Sequence, residues 1–135
     1  MPQSLVSIAF DVAREVHWGS DIESLHLVGP NLVVKVAREM EDESIVRGLE
    51  IVFDDVSALR YLDEVDLARY WTSDQFVSGS HVLEVLGGGW GAEENVLQGY
   101  ETRRREWLVV TGNGCVSVFS PSEPKINEAL WPRDA

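Results

Sequence analysis

Two apolar runs, Trp107-Leu108-Val109-Val110 and Cys115-Val116-Ser117-Val118-Phe119, constrain this chain more than any other stretch. Thr111-Gly112-Asn113-Gly114 separates them, and Asn-Gly is the pair a tight hairpin turn prefers. The segment is therefore predicted to be an antiparallel hairpin turning at Asn113-Gly114. Successive strand residues point to opposite faces. Trp107 and Val109 then face one way, Leu108 and Val110 the other, and all four are apolar. A strand of that kind is covered on both sides, and Trp107 is a core candidate.

Other stretches carry the same period. Ile22 to Arg38 reads as a hairpin around the strong turn Gly29-Pro30-Asn31. A strand from Ile45 runs through Leu49, Ile51 and Phe53, and Gly48 marks a bulge within it. Asp54-Asp55 interrupts the alternation, which resumes from Val56 to Tyr61 one residue out of phase, as a turn or bulge would cause. His81 to Leu86 is another strand, and Val96 to Tyr100 a short edge strand. Residues 4–16 fit two periods. Leu5, Ile8, Ala9, Val12, Ala13 and Val16 form a helical stripe, whereas Val6, Ile8, Phe10 and Val12 alternate. The longer stripe favours a helix. A second short helix is expected near 63–71, with Asp63 as N-cap, Asp66 at the capping-box position, and Leu62 and Leu67 spaced as a hydrophobic staple. Pro121, Pro124 and Pro132 imply an irregular C-terminal tail from about 121.

The expected class is α+β. It is one globular domain over 1–135, dominated by a curved antiparallel β-sheet or a two-layer β-sandwich, with helices at the N-terminus and near 63–71. The composition, 44% hydrophobic and 25% charged, is that of a folded chain. No apolar run approaches the ~20 residues of a membrane span. Met1-Pro2-Gln3-Ser4 lacks the basic segment of a signal peptide, and a single cysteine excludes an internal disulfide. A cytoplasmic protein is the expectation.

The net charge is −12. Ten acids between Glu39 and Asp66 face only Arg47 and Arg60, so that segment alone carries −8. Such a field repels phosphate backbones and attracts basic surfaces. Nucleic acid is therefore disfavoured as a partner, and a basic protein is favoured. The competing reading is a charge that serves only solubility.

Each candidate for chemistry has a plainer explanation. Asp63, Glu64 and Asp66 resemble a metal cluster, but helix capping accounts for their spacing. Asp54-Asp55 fits a turn. Gly87-Gly88-Gly89-Trp90-Gly91 resembles a phosphate loop, yet it lacks the Gly-Lys-Ser/Thr ending, Glu93 and Glu94 follow it, and no convincing helix does. Trp90 on that loop is either a binding anchor or a lid over the core. His17, His26, His81 and Cys115 share no zinc-ligand spacing, and Cys115 reads as a small buried apolar residue. Arg103-Arg104-Arg105 is a solvated turn or a local anion site. No serine lies in a Gly-x-Ser-x-Gly elbow.

The leading expectation is a non-enzymatic acidic binding protein, with no cofactor or metal and with a basic protein partner. A bacterial immunity-type inhibitor is one form of it. Its partner-binding residues would be Glu41, Asp42, Glu43, Asp54, Asp55 and Trp90. A second expectation is a ligand- or divalent-metal-binding domain or small enzyme using Asp54, Asp55, Asp63 and Glu64. A third is a structural subunit that homodimerises through a sheet edge or the Trp90 loop.

Overall fold

The computed structural model describes residues 6–9, 20–63, 80–112 and 114–133. They form two antiparallel sheets and one helix, the sheet-dominated α+β architecture expected. The strands are β1 (Val6–Ala9), β2 (Asp21–Val28), β3 (Asn31–Met40), β4 (Ile45–Phe53), β5 (Ala58–Asp63), β6 (Val82–Gly87), β7 (Glu106–Val110), β8 (Gly114–Phe119) and β9 (Lys125–Pro132). The helix, α1, is Trp90–Gln98. One sheet has the order β1-β6-β7-β8-β5, and the other β2-β3-β4-β9.

The two sheets pack face to face. Leu32, Val34 and Val36 of β3 and Leu49, Ile51 and Phe53 of β4 meet Val82, Trp107, Val109, Val116 and Val118 of the five-stranded sheet. Every one of these side chains is fully buried. The Phe53 and Trp107 rings lie 6.4 Å apart at a tilt of 55°, and Trp107 Nε1 donates to the Ser120 carbonyl at 3.0 Å. That bond matters because a buried indole N–H without a partner would forfeit about 1–3 kcal/mol. The opposite face of the five-stranded sheet is apolar as well: Leu62, Leu83, Val85, Leu108, Val110 and Cys115 are buried there as a second cluster. β7 and β8 are thus covered on both faces, as the run of apolar residues requires.

The Ile22–Arg38 hairpin forms with Gly29-Pro30 as its turn, and Gly29 takes φ +59°. The bulge expected at Gly48 falls on the partner strand. Pairing slips between Ala37 and Glu39, opposite Gly48 and Arg47. Gly48 is needed there, since a Cβ would run into the Val36 carbonyl and the Trp131 ring. The central hairpin closes one residue earlier than the Asn-Gly rule implies. Thr111 N–H donates to the Gly114 carbonyl at 2.9 Å, so Gly114 already belongs to β8; Asn113 lies outside the described residues.

Three local expectations are corrected. Residues 6–9 are a strand, not the start of a helix, with Ser7 opposite Val85 and Ala9 opposite Leu83. The alternation of Val6 and Ile8 outweighs the helical stripe because a neighbouring strand offers pairing; residues 10–16 lie outside the described residues. The tail is not irregular from 121. β9 runs the length of β4, from Val52 opposite Lys125 to Ile45 opposite Pro132. Pro124 and Pro132 bracket an edge strand, a place where proline is tolerated, rather than ending regular structure. The segment 96–100 is not a strand but the end of α1, with Gly99 as its left-handed C-cap at φ 82°. Asp63 is the last residue of β5, opposite Gly114; the helix expected from 63 to 71 otherwise lies outside the described residues.

Trp107 is the largest fully buried side chain among the described residues. Replacing it by alanine should remove about 3–5 kcal/mol of stability, the usual loss for a large aromatic core truncation. Urea unfolding checks this, and a loss below about 1 kcal/mol, the size of a surface effect, would contradict the packing described.

Candidate functional site

The acids singled out from the sequence do not converge. Glu41, Asp42 and Glu43 lie in the connection between β3 and β4, whereas Asp54 and Asp55 follow the far end of β4. Eight strand steps separate Ile45 from Phe53, roughly 26 Å at the rise of a β-strand. That exceeds the screening length of about 10 Å at 0.1 M salt. The two groups therefore act as separate patches. β5 likewise puts about 17 Å between its two ends, which keeps Asp54 and Asp55 apart from Asp63. Glu64 lies outside the described residues. Among the described residues, no three His, Cys, Asp or Glu side chains gather as a metal site would require.

Two of the acids hold turns. Asp42 Oδ1 accepts from the Ser44 N–H at 2.8 Å, the Ser44 hydroxyl at 3.1 Å and the Ile45 N–H at 3.0 Å. This is a side-chain mimic of a backbone turn. The Ser44 N–H, together with its hydroxyl, holds the Asp42 carboxyl below the usual range. Asp55 has φ 51°, and its N–H donates to Asn31 Oδ1 at 3.3 Å. The Asp54 carbonyl accepts from the Ser120 hydroxyl at 2.6 Å. Asp54-Asp55 is thus the corner where the chain leaves the four-stranded sheet, and both residues are exposed. Glu41 pairs with Arg47, while Glu39 and Glu43 stand exposed at the same end.

Trp90 folds back onto the protein. Its ring stacks on Phe119 at 4.3 Å, and the Arg60 guanidinium lies over its other side at 4.9 Å. Its Nε1 donates to Glu94 at 3.0 Å. Trp90 is also the first residue of α1, a helix the sequence did not reveal. The reason is tertiary. Gly89 provides no side-chain cap. Instead the Glu106 carboxylate, from β7, accepts from the Trp90 N–H at 3.0 Å and the Gly91 N–H at 2.7 Å. The glycines make room, since a Cβ on Gly89 would meet Glu106 Oε2 at 2.5 Å. The loop does receive an anion, but the anion is the chain's own carboxylate.

Glu106 is the one carboxylate among the buried side chains of the described residues. Burial pushes its carboxyl above the usual range. The Gly91 and Trp90 N–H groups and the charge of Arg60 oppose that rise, and Glu93 adds to it. Arg60 in turn bridges to Glu93 at 3.0 Å.

Two of the three arginines in the run 103–105 are engaged within the chain. Arg104 donates to Asn95 and Gln98 at 3.2 Å each, tying down the end of α1. Arg105 grips Glu84 with two bonds of 3.0 and 3.1 Å and lies 4.8 Å from the Trp107 ring. His81 is buried with Nδ1 at 2.6 Å from the Val110 carbonyl, His26 is exposed on β2, and Cys115 is buried and unbridged.

What remains is one end of the four-stranded sheet. The antiparallel register sets Asp21 beside Ala37, so the start of β2, the end of β3 and the connection 41–44 come together. Asp21, Glu23, Glu39, Met40, Arg38 and Arg133 line an open groove of about 550 Å³ there. On the outer face nearby, the Trp131 ring lies over Gly48. Its Nε1 donates to Glu23 at 2.6 Å, and Lys35 Nζ sits 5.4 Å from the ring. The prolines had hidden this tryptophan, because they suggested a tail instead of a paired strand.

The pH dependence of Glu106 has a definite sign. A carboxyl whose pKa is raised by folding binds more protons in the native state than in the unfolded one. Its contribution to stability therefore declines as pH rises through the window above the ordinary glutamate range. Glu106→Gln removes this ionisation. The stability of the variant relative to the parent should climb from mildly acidic to neutral pH, as read from paired urea titrations. A difference that does not change with pH would show that Glu106 ionises as it would in water.

Comparison with known proteins assigns no relative: no protein-family model, no curated protein and no solved structure matches this chain.

Proposed function

We propose that this chain is a non-enzymatic binding protein that presents the acidic end of its four-stranded sheet to a basic protein partner. A cytoplasmic immunity-type inhibitor, which occludes a basic enzyme, is one concrete form. The supporting observation is the unequal placement of charge. Residues 20–55 and 121–133, which hold the four-stranded sheet and its connections, contain eleven acids against five bases. Six of those acids (Asp21, Glu23, Glu39, Glu41, Asp42 and Glu43) belong to the groove end. In the five-stranded sheet, by contrast, β7 and β8 are buried on both faces.

A patch of this kind acts mainly on association rate, because its field guides the encounter and is screened by salt. Asp54, Asp55 and Trp90 have no part in this reading: the first two lie at the other end of the sheet and Trp90 packs on Phe119. Asp42 is a turn residue, so its replacement would mix folding with binding. Glu39 and Glu43 are the clean positions. With the parent as bait in a native cell extract at 0.1 M salt, a protein of high pI should be retained. On that purified protein, Glu39→Lys with Glu43→Lys should slow association about tenfold. The gap should close at high salt, and stability should move by less than about 0.5 kcal/mol. Equal association rates for parent and variant at low salt would refute the proposal.

A further inference from the structure

We infer that the basic partner docks by adding an extended segment to β2 as a fifth strand of the four-stranded sheet. This rests on the proposed function and specifies where and in what form the partner binds.

The edge strands of the described residues differ in how they are guarded. Sheet edges carry unpaired N–H and C=O groups, and proteins blunt them with proline, lysine, bulges or short strands. β9 has Pro124 before it, Lys125 at its start and Pro132 at its end. β1 has only four residues. β5 carries Arg60, whose bridge to Glu93 brings α1 against it. β2 has eight residues and contains neither proline nor lysine. Its bulge, between Ile22 and Ser24, and its acids, Asp21 and Glu23, all lie in its first half. The second half, Leu25-His26-Leu27-Val28, pairs regularly with β3 and carries no formal charge with His26 neutral. Leu27 and Val28 are 55% and 61% exposed. This half is a regular, uncharged edge strand with no neighbour beyond β3 among the described residues, the template that strand addition uses.

Charge selects the occupant. A second copy would bring two molecules of net charge −12 edge to edge, an arrangement that self-repulsion opposes. A basic segment meets the opposite situation. Apolar residues would cover Leu27 and Val28, and lysine or arginine would reach Asp21, Glu23 and Glu39 at the groove. Arg38 and Arg133 also line that groove, and the neighbouring Glu41 and Glu43 keep the local balance negative. Backbone pairing supplies the affinity, and alternate side chains supply the choice of partner.

A synthetic peptide with Val alternating with Thr in one half, and Lys alternating with Thr in the other, is a suitable probe. Added to the full chain, it should slow hydrogen exchange at alternate amides of 24–28 about tenfold, because only every second N–H faces outward. Leu27→Pro should abolish the protection. Leu27→Lys, which guards the edge without disturbing the backbone, should weaken it severalfold, so the test survives if the proline variant fails to fold. Exchange at 24–28 that ignores the peptide would overturn the inference. So would sedimentation of the free chain as a dimer that Leu27→Lys dissociates, since the edge would then serve a second copy. If Glu39→Lys with Glu43→Lys slows the purified partner while Leu27→Lys leaves it unaffected, the binding function stands and edge docking falls.

Discussion

The burial of β7 and β8 on both faces is the constraint from which the rest of the structure follows. Trp107, Val109, Val116 and Val118 face the four-stranded sheet, and Leu108, Val110 and Cys115 face the other way. A strand pair in that position is shielded on both faces, so a polar group there is best placed when it finds a partner within the protein. Trp107 does so through the Ser120 carbonyl. Each large apolar side chain buried there contributes about 1.5–3 kcal/mol. Layers are therefore required above and below the hairpin, and the four-stranded sheet supplies one of them.

Glu106 shows how a charge is accommodated at such a site. It begins β7, a strand whose five residues are all buried. An isolated carboxylate there would be strongly disfavoured. The two N–H groups at the start of α1 compensate, and charge-assisted bonds of this kind contribute roughly 1.5–3 kcal/mol each. The helix gains equally, since Gly89 gives it no cap of its own. Strand and helix thus resolve each other's polar deficit. The resulting geometry, glycines around an anion at a helix N-terminus, is the physics of a phosphate loop closed on an internal carboxylate. Glu93 and Arg60 complete a local network that leaves Trp90 pinned between Phe119 and a guanidinium.

The two sheets differ in how they are buried. In the five-stranded sheet, β7 and β8 are buried on both sides. The four-stranded sheet has one face in the core and one toward solvent, where Trp131 lies across Gly48. Charge and exposed strand edge are concentrated on this second sheet. The separation also explains why acids adjacent in the sequence act apart. β4 holds Glu41-Asp42-Glu43 and Asp54-Asp55 roughly 26 Å from each other, so these acids form two separate patches.

Elements governed by local periodicity were legible in the sequence: the Ile22–Arg38 hairpin, β4, β6, and the β7–β8 pair with Trp107 in the core. In these the alternation of apolar residues directly encodes which face is buried. The turn role of Asp54-Asp55 was legible too, because aspartate favours such geometry by itself. What the sequence did not reveal depends on distant partners. α1 has weak local signals and exists because Glu106, fifteen residues beyond Gly91, caps it. β9 contradicts the usual meaning of its prolines because β4 offers a free edge at which they are tolerated. β1 fits two periods, and only pairing with β6 chose between them. The groove joins residues 21–23, 37–40 and 133, which antiparallel register alone brings together. Charge and periodicity are properties of the chain taken locally, whereas caps, edges and clefts are set by which strands become neighbours.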